Sequence, residues 1–331
     1  MTRRNFFLSL VLLCALILSV IVSVSFGTKS VQTADILAAF GIGESTGFGT
    51  EVVKARIPRT VFGILAGAAL AISGGLMQSV TRNPIADPSI LGVNSGASLF
   101  VVCGIAFFHI NNNMSMIWLA FIGATLTAFL VYGLASIGYS GATPLKLALA
   151  GAAAGTALQS LVNTVMMPNT QVMDQFRFWQ TGSIGGATWN DIFTMLPFLA
   201  TGFIMSVILA PSLNAMALGD EMASGLGINV FVVRLTATLA GVLLCSATTA
   251  LAGPIGFVGL MIPHLIRSLS GADLRWLFPM SALAGSALLI IADVSGRVLG
   301  RPGELEVGIV TALLGAPVFI YIVRKVKVSV L

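Results

Sequence analysis

Long stretches without any charged residue constrain the fold of this chain more than any other feature. Charged residues make up 9% of its 331 residues, about a third of the usual fraction in a soluble domain. A helix crosses the hydrocarbon core of a membrane with roughly 17 to 25 apolar residues, and eight uncharged stretches are of about that length. They are residues 6–26, 60–80, 89–108, 114–137, 147–167, 192–211, 277–292 and 307–323. We therefore expect an all-α integral membrane protein.

A ninth uncharged stretch, residues 235–263, is too long for one span and too short for two complete ones. Pro254 and the glycines around it interrupt the stretch, so we predict two spans there, the second one short or tilted. The prediction is a single transmembrane domain over residues 1–331 with about ten spans. Their approximate bounds are 6–26, 60–80, 89–108, 114–137, 147–167, 192–211, 235–252, 255–270, 277–295 and 307–323.

The distribution of basic residues predicts that both chain termini lie on the cytoplasmic side. With ten spans in that orientation, ten Lys and Arg residues, Lys327 among them, lie inside and seven lie outside, a weak positive-inside bias. The outer set includes Arg56, Arg59 and Arg297, on the side that the bias disfavours. Either a partner outside requires these arginines, or they anchor helix ends and pair with acidic residues such as Asp293.

A polar turn with two prolines separates the second and third predicted spans. Proline removes a backbone donor and biases the preceding residue away from helix, here Asn83 before Pro84 and Asp87 before Pro88. Arg82 and Asp87 would each cost several kcal/mol in hydrocarbon. We therefore expect this turn at a membrane surface.

A second motif combines glycine, proline and histidine around the eighth predicted span. Gly253 and Pro254 allow the backbone to turn at membrane depth where surrounding protein shelters it. Pro263 then sets the inner end of the span, and His264 and Arg267 share one face of a helical turn. Because a single histidine is more often structural than a ligand, we expect neither a metal site nor a catalytic site here.

The longest inner loop, between the sixth and seventh predicted spans, is polar and rich in glycine. Gly219, Ala223 and Gly227 recur in it at four-residue spacing, which places them on one helical face. A face of small residues predicts close approach by a partner.

Together these motifs resemble those of the FecCD family, the permease subunits of iron-siderophore, haem and cobalamin ABC importers. The turn resembles the family pattern Q-x-x-x-R-N-P-L-A-D-P, with Ile85 for the usual Leu, and residues 252–267 resemble A-G-x-I-x-F-V-G-L-x-x-P-H-x-x-R. Residues 213–227 resemble L-N-x-L-x-L-G-x-x-x-A-x-x-L-G. The Pro that the family usually has before Val-Gly is either replaced by Glu306 or displaced to Pro302. The matched structural residues include Gln78, Arg82, Asn83, Pro84, Asp87, Pro88, Gly259, Pro263, His264 and Arg267.

The resemblance implies a cobalamin-permease-like bundle with an inverted repeat, in a bacterial plasma membrane. It implies the permease subunit of a type II ABC importer, forming the pathway for iron-siderophore complexes, with haem or cobalamin as alternative substrates. The expected partners are cytoplasmic ATPase subunits, an extracytoplasmic substrate-binding protein and a second permease subunit, identical or homologous. No nucleic-acid partner is expected. ATP would be hydrolysed on the separate ATPase, so this chain itself is not expected to be an enzyme or to bind a cofactor directly.

The resemblance also implies roles for three groups of residues. The ATPase would dock on an inner loop whose residues are Gly219, Asp220, Glu221, Ala223, Leu226 and Gly227. The substrate-binding protein would dock on Arg56, Arg59 and Arg297. The fifth span and the turn at 140–143 before it would line the pathway and inner gate, with Thr143, Gln159, Ser160 and Asn163.

Other function classes lack their usual residues. The chain has no G-x-x-x-x-G-K-[ST] loop for nucleotide phosphates. An ion-coupled secondary transporter, the less favoured alternative, would normally carry carboxylates or histidine at mid-membrane, and the predicted spans contain essentially none. A membrane enzyme would need a convergent cluster of His, Asp and Glu, which the sequence does not suggest.

Overall fold

The computed structural model describes residues 3–42, 47–138 and 143–325, and within these ranges all regular secondary structure is helical, with no strand. The predicted inner residue Lys327 and residues 140–142 of the predicted inner turn lie outside the described residues. The described helices are α1 (Arg3–Ser25), α2 (Thr33–Ala39), α3 (Phe48–Thr81), α4 (Val93–Phe108), α5 (Asn113–Ser136), α6 (Pro144–Met166), α7 (Thr170–Gln180), α8 (Trp189–Met216), α9 (Asp220–Gly225), α10 (Val230–Ala252), α11 (Val258–Ser270), α12 (Leu274–Leu299) and α13 (Val307–Lys325), with a 3₁₀ turn at Pro88–Leu91.

Seven of the described helices are long and apolar enough to cross a membrane, namely α1, α3, α5, α6, α8, α10 and α12. α4 and α13 are shorter apolar helices. α11 has 13 residues, about 20 Å at 1.5 Å per residue, and so is shorter than the hydrocarbon core is thick. The prediction of an all-α membrane fold is confirmed, and the number of complete spans stays a prediction.

Two helices extend well beyond their predicted apolar stretches. α3 begins at Phe48 rather than near residue 60, and passes through Arg56, Pro58 and Arg59. Hydropathy marks only the part of a helix that lies in hydrocarbon, whereas backbone hydrogen bonding continues where charged side chains find partners. α8 starts three residues before the predicted 192, at a capping box formed by Thr188 and Asp191, and continues to Met216.

α3 is the central helix of the bundle. It packs on α12, α10 and α11, and 83% of its most apolar window is buried. A Cβ on Gly67 would lie 2.4 Å from the carbonyl oxygen of Gly285, and one on Gly74 would lie 1.8 Å from that of Gly259. Close backbone contact of this kind drives helix association in membranes, where apolar burial alone gives little. The small residues of α3 therefore serve packing within the chain, as predicted.

The polar ends of the helices form two opposite faces. The first face contains the end of α1, the start of α3 and the end of α12, with Arg56, Arg59 and Arg297. The second face contains the end of α3, the α8–α9 connection and the start of α10, with Arg82 and Arg234. α3 and α10 therefore run in opposite directions.

Candidate functional site

The second face carries a short helix, α9, between two sharp backbone turns. Gly219 precedes α9 with φ +118°, and Gly227 follows it with φ +80°, a region that side chains with a Cβ rarely adopt. The Ala223 amide donates to the Gly219 carbonyl at 3.0 Å, and the Ile228 amide donates to the Ala223 carbonyl at 3.1 Å. These bonds close the loop into a compact helical unit with a defined entry and exit.

Ala223 does not lie on the exposed side of α9, in contrast to the prediction that it faces a partner. Ala223 is fully buried, so it faces the bundle of its own chain and is not available to a partner. Ala223 lies on the inner side of α9, where its apolar methyl group packs against the core. No neighbouring atom lies within 4 Å of a Cβ placed on Gly219 or Gly227. The predicted face of small residues is therefore split between the inside and the outside of the loop.

Three large apolar side chains are exposed in and beside α9. Leu218, Met222 and Leu226 are 67%, 61% and 63% exposed and recur at four-residue spacing. Only Leu226 was among the predicted docking residues. The signal for the other two was present in the sequence, since three large apolar residues at helical spacing in an otherwise polar loop indicate an apolar stripe.

Asp220, the first residue of α9, forms ion pairs with two arginines. It accepts from Arg234 Nη2 at 3.0 Å and also from Arg82 Nη2. Arg82 Nη2 donates in addition to the carbonyl of Met216, at 2.6 Å. The adjacent Glu221 is exposed and has no ion pair or hydrogen bond within the part of the chain that the structure describes.

The two-proline turn lies beside these residues on the second face. Arg82 ends α3 in the left-handed conformation, with φ 49°. The Asn83 side chain accepts from the Ile85 amide at 3.1 Å, and the Asp87 side chain accepts from the Ser89 amide at 3.0 Å. Pro84 lies inside the turn. Pro88 then starts the 3₁₀ turn. Because of this turn, α4 begins at Val93 and not at residue 89, the predicted start of the span.

Residues of the second motif connect α3 to α11 at the same face. Gln78 Nε2 donates to the carbonyl of Leu260 at 3.1 Å, and Gly259 is the residue that α3 approaches at Gly74. Pro263 is buried within α11, and His264 is half-buried beside it. Arg267 lines a cavity of about 300 Å³ together with Gln78, Arg82, Asn214 and others. Among the described residues, no three His, Cys, Asp or Glu side chains lie close enough together to hold a metal.

At the first face, the predicted docking arginines are tied to their own chain. Arg56 is 6% exposed, and its guanidinium donates to three carbonyls: Val24 at 2.9 Å, Ser25 at 3.2 Å and Lys29 at 2.7 Å. It thereby fixes the end of α1 and the following loop against α3.

Arg59 and Arg297 share the carboxylate of Asp293. Arg59 Nη2 lies 2.7 Å from Asp293 Oδ1, and Arg297 Nη2 lies 3.0 Å from Asp293 Oδ2. Arg59 Nη1 also pairs with Glu304 at 2.8 Å. Arg297 is 2% exposed and donates to the carbonyls of Ser23 and Phe26, both at 3.1 Å. In the isolated chain, therefore, no member of this trio presents a free guanidinium.

Polar side chains predicted for the pathway lie on α6 or at its N-cap, and among the seven long apolar helices only α1 has a smaller buried share than α6. Only 17% of its most apolar window is buried. Gln159 Nε2 donates to Asn163 Oδ1 at 3.3 Å, and Ser160 and Asn163 are exposed. Thr143 accepts from the Lys146 amide as the N-cap of α6. Polar groups on the surface of a membrane helix require another subunit or water as a partner.

Gln159 also lines a wide cavity of about 550 Å³, between α4, α6 and the α10–α11 connection. No lining residue carries a charge. The lining consists of Asn94, Ser95, Ser98, Gln159, Gln180, Thr181, Pro254, Gly256, Gly308, Ile309 and Ala312. The cavity therefore presents uncharged hydrogen-bonding groups and exposed backbone. Most of these residues were absent from the prediction because they come from five separate parts of the sequence.

Known proteins share both the sequence and the fold. The profile of the FecCD transport family matches residues 15–325. The chain is 42% identical to the ferric enterobactin transport system permease protein FepD of Escherichia coli (strain K12), over 95% of this chain and 94% of that protein. It is 41% identical to the Fe(3+)-citrate import system permease protein YfmD of Bacillus subtilis (strain 168), over 92% of this chain and 90% of that protein.

A solved structure described as "an inward-facing conformation of a putative metal-chelate type ABC transporter" superposes with a TM-score of 0.81 and 25% identity, over 97% of this chain and 100% of that chain. The hemin transport system permease protein HmuU of Yersinia pestis is 37% identical, over 82% of each chain. The resemblance stated from the motifs is confirmed: this chain belongs to the FecCD transport family of ABC transporter permeases.

Proposed function

We propose that this chain forms half of the membrane pathway of a type II ABC importer for iron-siderophore complexes. The uncharged polar cavity beside α6 is the observation that carries the proposal, because it opens next to polar side chains that this chain leaves exposed. The names of two relatives, FepD and YfmD, specify ferric enterobactin and Fe(3+)-citrate. Haem is the second candidate substrate, supported by the similarity to HmuU.

A second permease subunit is proposed to cover α6. Gln159, Ser160 and Asn163 would then line a shared, water-filled pathway together with the uncharged cavity. Such a lining suits a bulky chelate, because it offers many weak hydrogen bonds and no fixed charge that would trap the substrate. Whether the second subunit is another copy or a homologous chain does not alter this role.

The second face is proposed to be cytoplasmic and to receive the ATPase. The apolar stripe of Leu218, Met222 and Leu226 provides a surface that needs a partner. Asp220 and Glu221 supply negative charge beside this stripe. ATP would be bound and hydrolysed by that partner, in accord with the absence of a phosphate-binding loop motif from the sequence.

The first face is proposed to receive the substrate-binding protein. Arg59 has the most suitable position of the predicted trio, since its side chain retains 11% exposure and one of its partners, Glu304, is 36% exposed. Acidic groups of a partner could replace Glu304, since arginine binds carboxylates through paired, charge-assisted bonds. Arg56 and Arg297 would support this docking indirectly, because they are buried and hold the end of α1 and the following loop in place.

Uptake of a panel of radiolabelled ferric chelates by a strain that lacks this chain, with and without the chain restored, tests the substrate class. We expect restoration to recover uptake of at least one ferric siderophore. Recovery of haem uptake alone would favour the second candidate. Uptake that persists when the partner ATPase is inactivated, and that follows an ion gradient, would refute the importer class.

A further inference from the structure

Asp220 connects the short surface helix α9 to two long membrane helices at once. Arg234, near the start of α10, donates both to Asp220 Oδ2 at 3.0 Å and to Asp220 Oδ1 at 3.3 Å. Arg82, the residue that ends α3, donates to the same carboxylate. The two arginines are 152 positions apart by number, and their only shared acidic partner among the described ion pairs is this one residue of α9.

Few other contacts attach α9 to the bundle. Ala223 packs inward, whereas Leu218, Met222 and Leu226 point outward. At both ends the chain passes through a glycine with positive φ and open space around it. Such glycines allow the backbone to turn, and they do not by themselves hold α9 at a fixed angle to the bundle. The charged contacts of Asp220 add that constraint.

α3 is well suited to transmit a displacement. It has 34 residues, about 51 Å at 1.5 Å per residue, and most of its length is buried. Its other end carries Arg59, which pairs with Asp293 of α12 on the first face. In the middle, Ser73 Oγ donates to the carbonyl of Gly241 and so joins α3 to α10.

We propose that Asp220 is a positioning residue that couples movement of α9 to α3 and α10 through Arg82 and Arg234. This inference rests on the proposed docking of an ATPase at α9. If Asp220 loses its charge, the apolar stripe still binds the ATPase, but the bound partner no longer moves both long helices. Hydrolysis then continues while less substrate is transported for each ATP.

The competing explanation is an ordinary surface ion pair, worth roughly 0–1 kcal/mol. Asp220 and Arg82 are indeed 44% and 43% exposed in their side chains, but Arg234 is only 17% exposed. The pair with Arg234 is therefore the better shielded from water. We expect Arg234→Gln to have a larger effect than Arg82→Gln.

The test is the number of substrate molecules transported per ATP hydrolysed, in the complete complex reconstituted in vesicles. Asp220→Asn removes the charge. Asp174→Asn is the matched control, since it makes the same change on an exposed carboxylate of α7 that has no ion pair or hydrogen bond within the described residues. Coupling free energies of the usual size predict at least a roughly fivefold fall in the ratio for Asp220→Asn. The control should keep the wild-type ratio, and Asp220→Glu should restore part of it.

Separate outcomes distinguish this inference from the docking proposal. Equal ratios for Asp220→Asn and Asp174→Asn, with the ATPase still bound to both, would overturn the coupling role while leaving docking intact. Loss of the ATPase from Asp220→Asn would make Asp220 a docking residue and would also overturn it. Failure of the ATPase to bind the wild-type chain would refute the docking proposal itself. Should Asp220→Asn fail to insert, the ratios of Arg82→Gln and Arg234→Gln decide the matter.

Discussion

Arg59 and Asp293 join α3 to α12 at the first face through a bidentate ion pair. Arg59 Nε lies 3.1 Å from both carboxylate oxygens, and Arg59 Nη2 lies 2.7 Å from Oδ1. The residues are separated by 234 positions, and Asp293 is 2% exposed. The pair therefore holds together the two helices that make the largest shared interface in the bundle.

Variants of the two residues in this pair distinguish a docking role of Arg59 from a structural role. Removing one partner of a buried pair costs roughly 3–5 kcal/mol, so both Arg59→Gln and Asp293→Asn should lower thermal stability. Only Arg59→Gln should weaken association with the substrate-binding protein, because Asp293→Asn leaves the Arg59 guanidinium in place. Association is measured by titration of the purified permease at two salt concentrations.

Lys54→Gln is the control for that titration, since Lys54 is exposed and pairs only locally, with Glu51. It should bind like the wild-type chain. If Arg59→Gln and Asp293→Asn weaken association to the same extent, the arginine acts through the fold of the first face and does not contact the partner.

Gly74 is predicted to be irreplaceable. A Cβ at this position would lie 1.8 Å from the carbonyl oxygen of Gly259, so Gly74→Ala forces α3 and α11 apart. We expect loss of monodisperse protein in detergent extracts. Gly133→Ala, within α5 and facing open space, should be tolerated or stabilise slightly, by up to about 1 kcal/mol from helix propensity. Equal yields of the two variants would show that the helices have room to separate.

The apolar stretches predicted an all-α membrane fold because hydrophobic transfer depends on local composition. The charged residues were harder to interpret. Arg56 and Arg297 occur at the ends of predicted spans on the predicted outer side, and this pattern fits both a docking surface and an internal pair. Asp293 lies one helical turn before Arg297, but the carbonyls that both arginines bind lie in α1 and in the following loop, at distances in sequence that no local pattern encodes.

The inward orientation of Ala223 could not be predicted for a similar reason. Small residues at four-residue spacing define a face, but not whether that face turns toward the bundle or toward a partner. The direction depends on the turn at Gly219 and on the contacts of Asp220 with two distant helices. The large residues at 218, 222 and 226 resolve the ambiguity only when the three are considered together.

Asp87 gives a prediction about pH. Burial raises the pKa of its carboxyl above the ordinary value, against the opposing effect of the hydrogen bond from Ser89. A carboxyl with a raised pKa in the folded state destabilises the fold at pH values above that pKa, and the penalty disappears as the pH falls through it. Asp87→Asn should therefore unfold at a higher temperature than the wild-type chain at mildly alkaline pH.

The difference between Asp87→Asn and the wild-type chain should shrink at mildly acidic pH, in thermal unfolding followed in detergent. Glu221→Gln, which removes an exposed carboxylate, serves as the control and should show no such trend. A gap that widens as the pH falls would mean that the charged form of Asp87 stabilises the turn.

Cysteine labelling tests the proposed pathway. In a background without the natural cysteines, Gln159→Cys and Asn163→Cys should react with a membrane-impermeant thiol reagent, at rates that change when ATP is added to the complete complex. Ile204→Cys, on an exposed apolar surface of α8, should stay unreactive because it faces lipid. If both α6 positions remain inert in every nucleotide state, α6 packs against another helix and lines no pathway.

The most direct test of the importer function is uptake into vesicles that contain this chain, its second permease subunit and the ATPase, with the loaded substrate-binding protein outside. We predict accumulation of a ferric siderophore that requires ATP on the side of the membrane that bears the ATPase and that continues after ion gradients are collapsed. Accumulation that needs an ion gradient and ignores ATP, or no accumulation of any ferric chelate or haem, would contradict it.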